Sequence, residues 1–374
     1  MNPLYIDTQA VSLSINNSSL VLKDMINKKE IERFKPRDIP YDAIIIQRPR
    51  GYFTFASLHW LVHHSISVTV LNWRGGVLAQ ILPEEPISNE LKIAQYQSYI
   101  DRQKRLYIGK SIIDAKEKRQ QDFLASLSKN YPIRVPVIPH LSMVQSTDFI
   151  RNHEARYAVE YFKQIGIVCK ELGFEFRGRN STKDNRRAPD FVNSLMNYSY
   201  ALLKTYIRRA INSVGLDNSI PFIHEMRQNT GLVYDLMELW RTNADYSVIQ
   251  TLEQINSKDK NHYLTDTYEA MLSHKSIQSL FDRLRFNLSL EEIILNTRRL
   301  ARFMLGENTS LKFALKPVVV KESFETQNVK HRILNQSYRD LGMNKSTHWY
   351  QRKRLEETGS VRIYNKTKHH FITN

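Results

Sequence analysis

The chain has 374 residues, 41% hydrophobic and 25% charged, a composition with enough apolar material for packed cores, which excludes a disordered or fibrous protein. Lys and Arg total 54 against 38 Asp and Glu, a formal charge of +16, so the expected partner is a polyanion, nucleic acid first. The single cysteine, Cys169, excludes an intramolecular disulfide and a Cys-rich zinc site, and no secretion signal or apolar run of ~18 residues is visible, so a cytoplasmic protein with no membrane segment is expected.

The first 85 residues read as strands. Leu13, Ile15, Leu20 and Leu22 flank the turn-forming Asn16-Asn17-Ser18-Ser19, Ala43 to Ile46 is a short β-branched run, and Ser67 to Leu71 alternates before a Gly75-Gly76 turn and Val77 to Leu82. Phe55 to Val62 between them is of helix length, with Thr54 as N-cap. His63-His64 at its end is accounted for by the helix C-terminus and lacks companion ligands, as does His369-His370 in the tail. Pro83 and Pro86 close the region.

From about Ser88 the pattern turns helical, with a stretch from Leu91 to Leu127 of 3.6-residue period. The next helix, Arg151 to Leu172, has Ala158, Phe162, Ile165, Cys169 and Leu172 as a buried seam. One turn further back that seam meets Glu154, and a carboxylate in line with a core stripe calls for a partner. Arg177 to Asp190 is a polar, basic loop holding Arg177, Arg179, Arg186 and Arg187, candidates for phosphate contact or simply a solvated loop. Asp190 caps a helix with Phe191, Leu195, Tyr198 and Leu202 at core spacing. Asp235 and Glu238, three apart, share one surface of a further helix; that spacing more often describes a solvated face or pairs with Lys and Arg.

Lys316 to Ser323 reads as a linker. Beyond it, Ser337 to Leu341, Gly342-Met343-Asn344 and Lys345 to Leu355 read as helix, turn, helix, followed by a short strand over Val361 to Tyr364. Lys345, Ser346, Thr347 and Arg352 on the second helix are residue types that contact DNA; a helical pair packing on the main body is the alternative. Net charge is +1 over residues 1–85, +9 over 86–320 and +6 over 321–374, so the polyanion should meet the middle and the end. The expected fold class is α+β: a β-rich domain over residues 1–87, a larger all-helical domain over 88–318 and a small helix-turn-helix over 325–374.

Glu154, His224, Asp235 and Glu238 together offer three carboxylates and one imidazole, a donor set suited to Mg²⁺ or Mn²⁺ rather than zinc. The strings Pro189 to Leu203, Val214 to Asp217, Pro221-Phe222-Ile223-His224 and Asp235-Leu236-Met237-Glu238, with Glu154, Ala155, Arg156, Tyr161 and Phe162 ahead of them, resemble the CRISPR-associated integrase family Cas1. Thr54 to Asn72 before Arg74-Gly75-Gly76 resembles that family's β-domain, and the likeness covers roughly residues 1–320. The chain departs from the family pattern at Ala155, where Gly is usual, at Glu238, where Asp is common, and at Leu239 to Thr242, which lacks the usual Pro-Phe-Arg-Pro.

The resemblance implies a dimerising β-domain and a metal-dependent DNA endonuclease and integrase, with Glu154, His224 and the pair Asp235 and Glu238 as catalytic metal ligands. It implies insertion of linear double-stranded DNA by attack of its 3′-hydroxyl ends on a target DNA. The appended helix-turn-helix favours the casposase branch, a solo transposon integrase. A CRISPR spacer integrase working with Cas2 and a non-catalytic DNA-binding scaffold are the alternatives.

Overall fold

The computed structural model describes residues 3–373 except 7, 9, 37–38, 40, 42, 48–49, 73–75, 84–87, 139–145, 179–187, 227–229, 256–262, 267–268, 321–343, 359–361 and 366–369. Eight strands come first: β1 (Pro3–Ile6), β2 (Val11–Asn16), β3 (Ser19–Asp24), β4 (Lys29–Phe34), β5 (Ala43–Gln47), β6 (Gly51–Phe53), β7 (Ser67–Leu71) and β8 (Val77–Ile81), with helix α1 (Phe55–His63) between β6 and β7. They form two four-stranded sheets, in the orders β4-β3-β2-β6 and β1-β5-β7-β8. Asn17 and Ser18, at φ 48° and 62°, supply the two left-handed positions of a hairpin turn whose twist matches the strands it joins. Thr54 caps α1 through the Ser57 N–H, 3.1 Å away. At the other end His64 Nδ1 lies 2.8 Å from the Trp60 carbonyl, a last-turn contact that accounts for this histidine.

Strand β5 explains how the sheets are seated. Ile44 and Ile46 join Leu13, Leu20, Leu22, Leu61 and Val68 in a core between sheet and sheet, whereas Ile45 faces the other way and joins the core of the helical body. A strand buried on both faces reads as an unbroken apolar run, which is what Ala43-Ile44-Ile45-Ile46 is. At its end Gln47, fully buried, accepts from the Tyr198 hydroxyl at 2.9 Å. Tyr5 of β1 also donates to Gln47, so the sheet is fastened to the helical body by a polar knot inside an apolar contact.

The body comprises α2 (Asn89–Ile100), α3 (Arg102–Leu127), α4 (Thr147–Glu171), α5 (Phe191–Val214), α6 (Gly231–Met237), α7 (Arg241–Gln254), α8 (His274–Asn287) and α9 (Leu290–Met304), with an antiparallel hairpin of β9 (Tyr263–Asp266) and β10 (Glu269–Leu272) before α8. The periodic stretch from Leu91 to Leu127 is two helices. Asp101, at ψ 105°, leaves the helical region, and its side chain takes the Gln103 and Lys104 N–H groups of the new helix. Asp190 caps α5 as expected, accepting from the Asn193 N–H at 2.7 Å, and Phe191, Leu195, Tyr198 and Leu202 are all buried.

Lys316 to Val320 is a strap rather than a free linker. Val318 and Val320 are buried, Arg119 donates to the Lys316 carbonyl at 2.8 Å, and the Val320 N–H reaches Ser126 at 3.0 Å. Beyond it lie α10 (Lys345–Thr358) and a hairpin of β11 (Arg362–Asn365) and β12 (His370–Thr373). The first helix expected for the helix-turn-helix, residues 337–341, lies outside the described residues, as does His369. Among the described residues no helix is long and apolar enough to cross a membrane.

Cys169 is fully buried on α4, and burial pushes its thiol pKa up to about 12. At pH 8 the thiolate is then about one part in ten thousand. A disulfide reagent should therefore leave the native protein unlabelled at pH 8 and label it within minutes in denaturant; rapid native labelling would contradict this packing.

Candidate metal centre

The centre is built where α4 crosses α3. The Ser146 side chain accepts the Phe149 N–H at 3.2 Å and starts α4. Ile150, Tyr157 and Tyr161 are among its buried positions, and Glu154 stands between the first two at spacings of four and three. The seam thus runs through Tyr157, Tyr161, Ile165, Val168 and Cys169, with Ala158, Phe162 and Leu172 at its partly buried edge. Glu154 is in line with it, 26% exposed at the side chain.

Its partner comes from the middle of α3. The Lys116 side chain, 3% exposed, forms an ion pair with Glu154 and stands 2.5 Å from Glu238 Oε2. Glu238 opens a single 3₁₀ turn, Glu238–Trp240, between α6 and α7. Its other oxygen meets Arg241 at 2.9 Å, and the Arg241 guanidinium also lies over the Tyr200 ring at 5.2 Å. Burial penalises the Glu238 carboxylate, yet Arg241 and Lys116 outweigh it and hold its pKa below the usual value. Burial likewise opposes the Lys116 ammonium, while Glu238 and Glu154 keep its pKa raised. Glu238 and the two cations beside it, Lys116 and Arg241, therefore stay ionised together, which a low-dielectric site tolerates because each cation touches the carboxylate. Glu117, the next residue along α3, pairs with His153 at 3.1 Å, making a second tie between the two helices.

Asp235 is organised differently. Fully buried, it accepts the backbone N–H groups of Phe222 and Ile223 on Oδ2 and that of His224 on Oδ1. Oδ1 also lies 2.7 Å from His224 Nδ1. The loop Pro221 to His224 is wound onto one carboxylate, and Nδ1, facing an acceptor, must carry the proton. The Nε2 lone pair is thereby left for a ligand, on a side chain 37% exposed. Burial lowers the imidazole pKa, but Asp235 and the more distant charge of Glu238 raise it further. Glu238 is thus close enough for its charge to be felt at His224, and Lys116 ties Glu238 to Glu154.

The four candidate side chains therefore sit in one locality, in two roles. Both Asp235 oxygens are engaged by the loop and by His224, whereas Glu154 and Glu238 are joined through the Lys116 ammonium. Glu238 Oε2 is buried and faces the Lys116 ammonium at 2.5 Å. Two carboxylates and one imidazole are, as a donor set, suited to a hard divalent cation. Among the described residues no three His, Cys, Asp or Glu side chains are assembled to hold an ion as they stand; between the two carboxylates lies the Lys116 ammonium.

Lys116 and Arg241 are absent from the residues that the sequence singles out. Their signals were a lysine in the apolar stretch of α3 that holds Ile112 and Ile113, and an arginine three residues after Glu238. Arg177 is described and exposed, pairing with Glu175 at 2.9 Å; Arg179, Arg186 and Arg187 lie outside the described residues. Lys345, Ser346, Thr347 and Arg352 are exposed on α10.

The sequence profile of the family CRISPR associated protein Cas1 matches residues 4–285. The CRISPR-associated endonuclease Cas1 1 of Archaeoglobus fulgidus is 24% identical over 342 residues, 81% of this chain and 96% of that protein. The CRISPR-associated endonuclease Cas1 2 of Saccharolobus solfataricus is 29% identical over 254 residues, 67% of this chain and 75% of that protein. Among solved structures, a casposase bound to integration product superposes with a TM-score of 0.77 at 27% identity, over 90% of this chain and 100% of that one. A Cas1 protein from Thermotoga maritima shares the fold, with a TM-score of 0.69 at 18% identity over 84% of this chain and 100% of that chain. An α+β chain with an acid-imidazole centre between its helices is the class that fold and site define. The chain belongs to the Cas1 family.

Proposed function

We propose that this chain is a divalent-metal-dependent DNA endonuclease and integrase of casposase type. The observation that carries the reading is the convergence of Glu154, His224 and Glu238 on one locality. The likeness to a casposase bound to integration product supports the choice of branch. Glu154, Glu238 and the Nε2 atom of His224 would hold Mg²⁺ or Mn²⁺, which when bound supplies Lewis acidity to a phosphodiester and favours ionisation of the attacking hydroxyl. Asp235 keeps the His224 proton on Nδ1 and fixes the ring; Arg241 holds Glu238 ionised. In strand joining, the 3′-oxygen of the incoming end forms a bond to a target phosphorus, the target's own P–O3′ bond breaks, and the released oxygen takes up a proton. Phosphodiesters are conserved in number, so no nucleotide triphosphate is required.

Arg177, Arg179, Arg186 and Arg187 are proposed phosphate contacts, and Lys345, Ser346, Thr347 and Arg352 are proposed DNA contacts of the terminal module. The two-sheet region, residues 1–87, is the proposed homodimer contact. The relatives named CRISPR-associated endonucleases favour a second reading, spacer integration with Cas2. The test is a duplex with labelled 3′-hydroxyl ends incubated with plasmid and Mn²⁺. Joined product that disappears in EDTA is expected; DNA binding with salt-dependent affinity but no joining or nicking in either metal would leave the scaffold.

A further inference from the structure

We propose that the Lys116 ammonium is an exchangeable internal cation: it occupies the space between Glu154 and Glu238 until a divalent ion displaces it. The inference rests on the metal-site reading above. Its own grounds are geometric. Lys116 is 3% exposed at the side chain and touches both carboxylates. It arises from α3, a different element from those carrying either acid. A lysine placed merely to neutralise Glu238 would be redundant, because Arg241 already binds the other oxygen at 2.9 Å. The ammonium thus bridges one oxygen of each acid, the Glu154 carboxylate and Glu238 Oε2.

Charge arithmetic gives the placeholder its purpose. Without an ion, Glu154 and Glu238 would repel one another in a buried setting and the α3–α4 crossing would open. With the ammonium there, the two acids are held near each other by one positive charge. A divalent ion supplies two charges to the same oxygens and cannot share them with the ammonium, which must withdraw. The lysine therefore stabilises the metal-free fold and weakens metal binding, opposite signs for a single side chain. A lysine that only positioned the ligands would strengthen both.

The test is Mn²⁺ binding by titration calorimetry and thermal unfolding without metal, for the wild-type protein, Lys116→Met and Lys116→Gln. Both variants lack the ammonium, and Gln keeps a donor for Glu154, so one is expected to fold where the other fails. Lower melting temperatures without metal, with Mn²⁺ binding about tenfold tighter than in the wild type, are expected, because the site gains one net negative charge. Variants that fold only once Mn²⁺ is added would support the proposal equally. Affinity equal to or weaker than wild type, or variants that Mn²⁺ does not rescue, would overturn it. If no chain, wild type included, binds Mn²⁺, the metal site itself fails and the placeholder with it; binding in the wild type with no gain in the variants overturns the placeholder alone.

Discussion

Replacing Glu238 with Gln is expected to remove DNA joining and to destabilise the metal-free protein. The side chain is 5% exposed and stands between Lys116 and Arg241. Neutralising it leaves the buried Lys116 ammonium with Glu154 as its one carboxylate contact and takes from the half-buried Arg241 its nearest carboxylate, and breaking a buried pair costs about 3–5 kcal/mol. Loss of one of three proposed ligands should also cut the joining rate by about a thousandfold, roughly 4 kcal/mol of barrier. Urea denaturation and a joining assay on the same preparation check both. A wild-type midpoint with wild-type joining would remove Glu238 from the centre.

Asp235→Asn should behave differently from its neighbour. Asp235 accepts three backbone N–H groups and the Nδ1 proton of His224. An amide offers one acceptor oxygen, and its NH₂ would face donors, so each N–H left without a partner costs about 1–3 kcal/mol. Freed from its carboxylate, the imidazole loses its fixed tautomer, and metal affinity should fall about 10–100-fold. His224→Ala is the control: it deletes the ring while the 222–224 backbone stays on Asp235, so stability should change far less than in Asp235→Asn while joining is lost. Equal loss of stability in the two variants would contradict the separate roles given to acid and imidazole.

Much of this was legible in the sequence. The Asn17-Ser18 turn, the Thr54 and Asp190 caps and the apolar run of β5 are local signals, set by dihedral preference and side-chain pattern, and local signals survive in a single chain. Glu154 was visible because a carboxylate in line with a core stripe needs an answer. The answer was not visible: Lys116 lies 38 residues away, and nothing in its spacing marks it apart from other lysines. The division of labour between Asp235 and Glu238 was equally hidden. Both are acids three residues apart, and only the path of the Pro221 to His224 loop decides that the first is used up by backbone donors. Asp101 shows the same limit on a smaller scale, because one capping side chain divides an otherwise continuous helical pattern and redirects α3 toward α4.

The central claim is that Glu154, His224 and Glu238 surround a single cation. Anomalous diffraction at the manganese edge, from crystals of the wild-type protein grown with Mn²⁺, measures this directly. The expected result is a peak within about 2.5 Å of a Glu154 oxygen, a Glu238 oxygen and His224 Nε2. A manganese peak bound elsewhere, with those three side chains untouched, would contradict it.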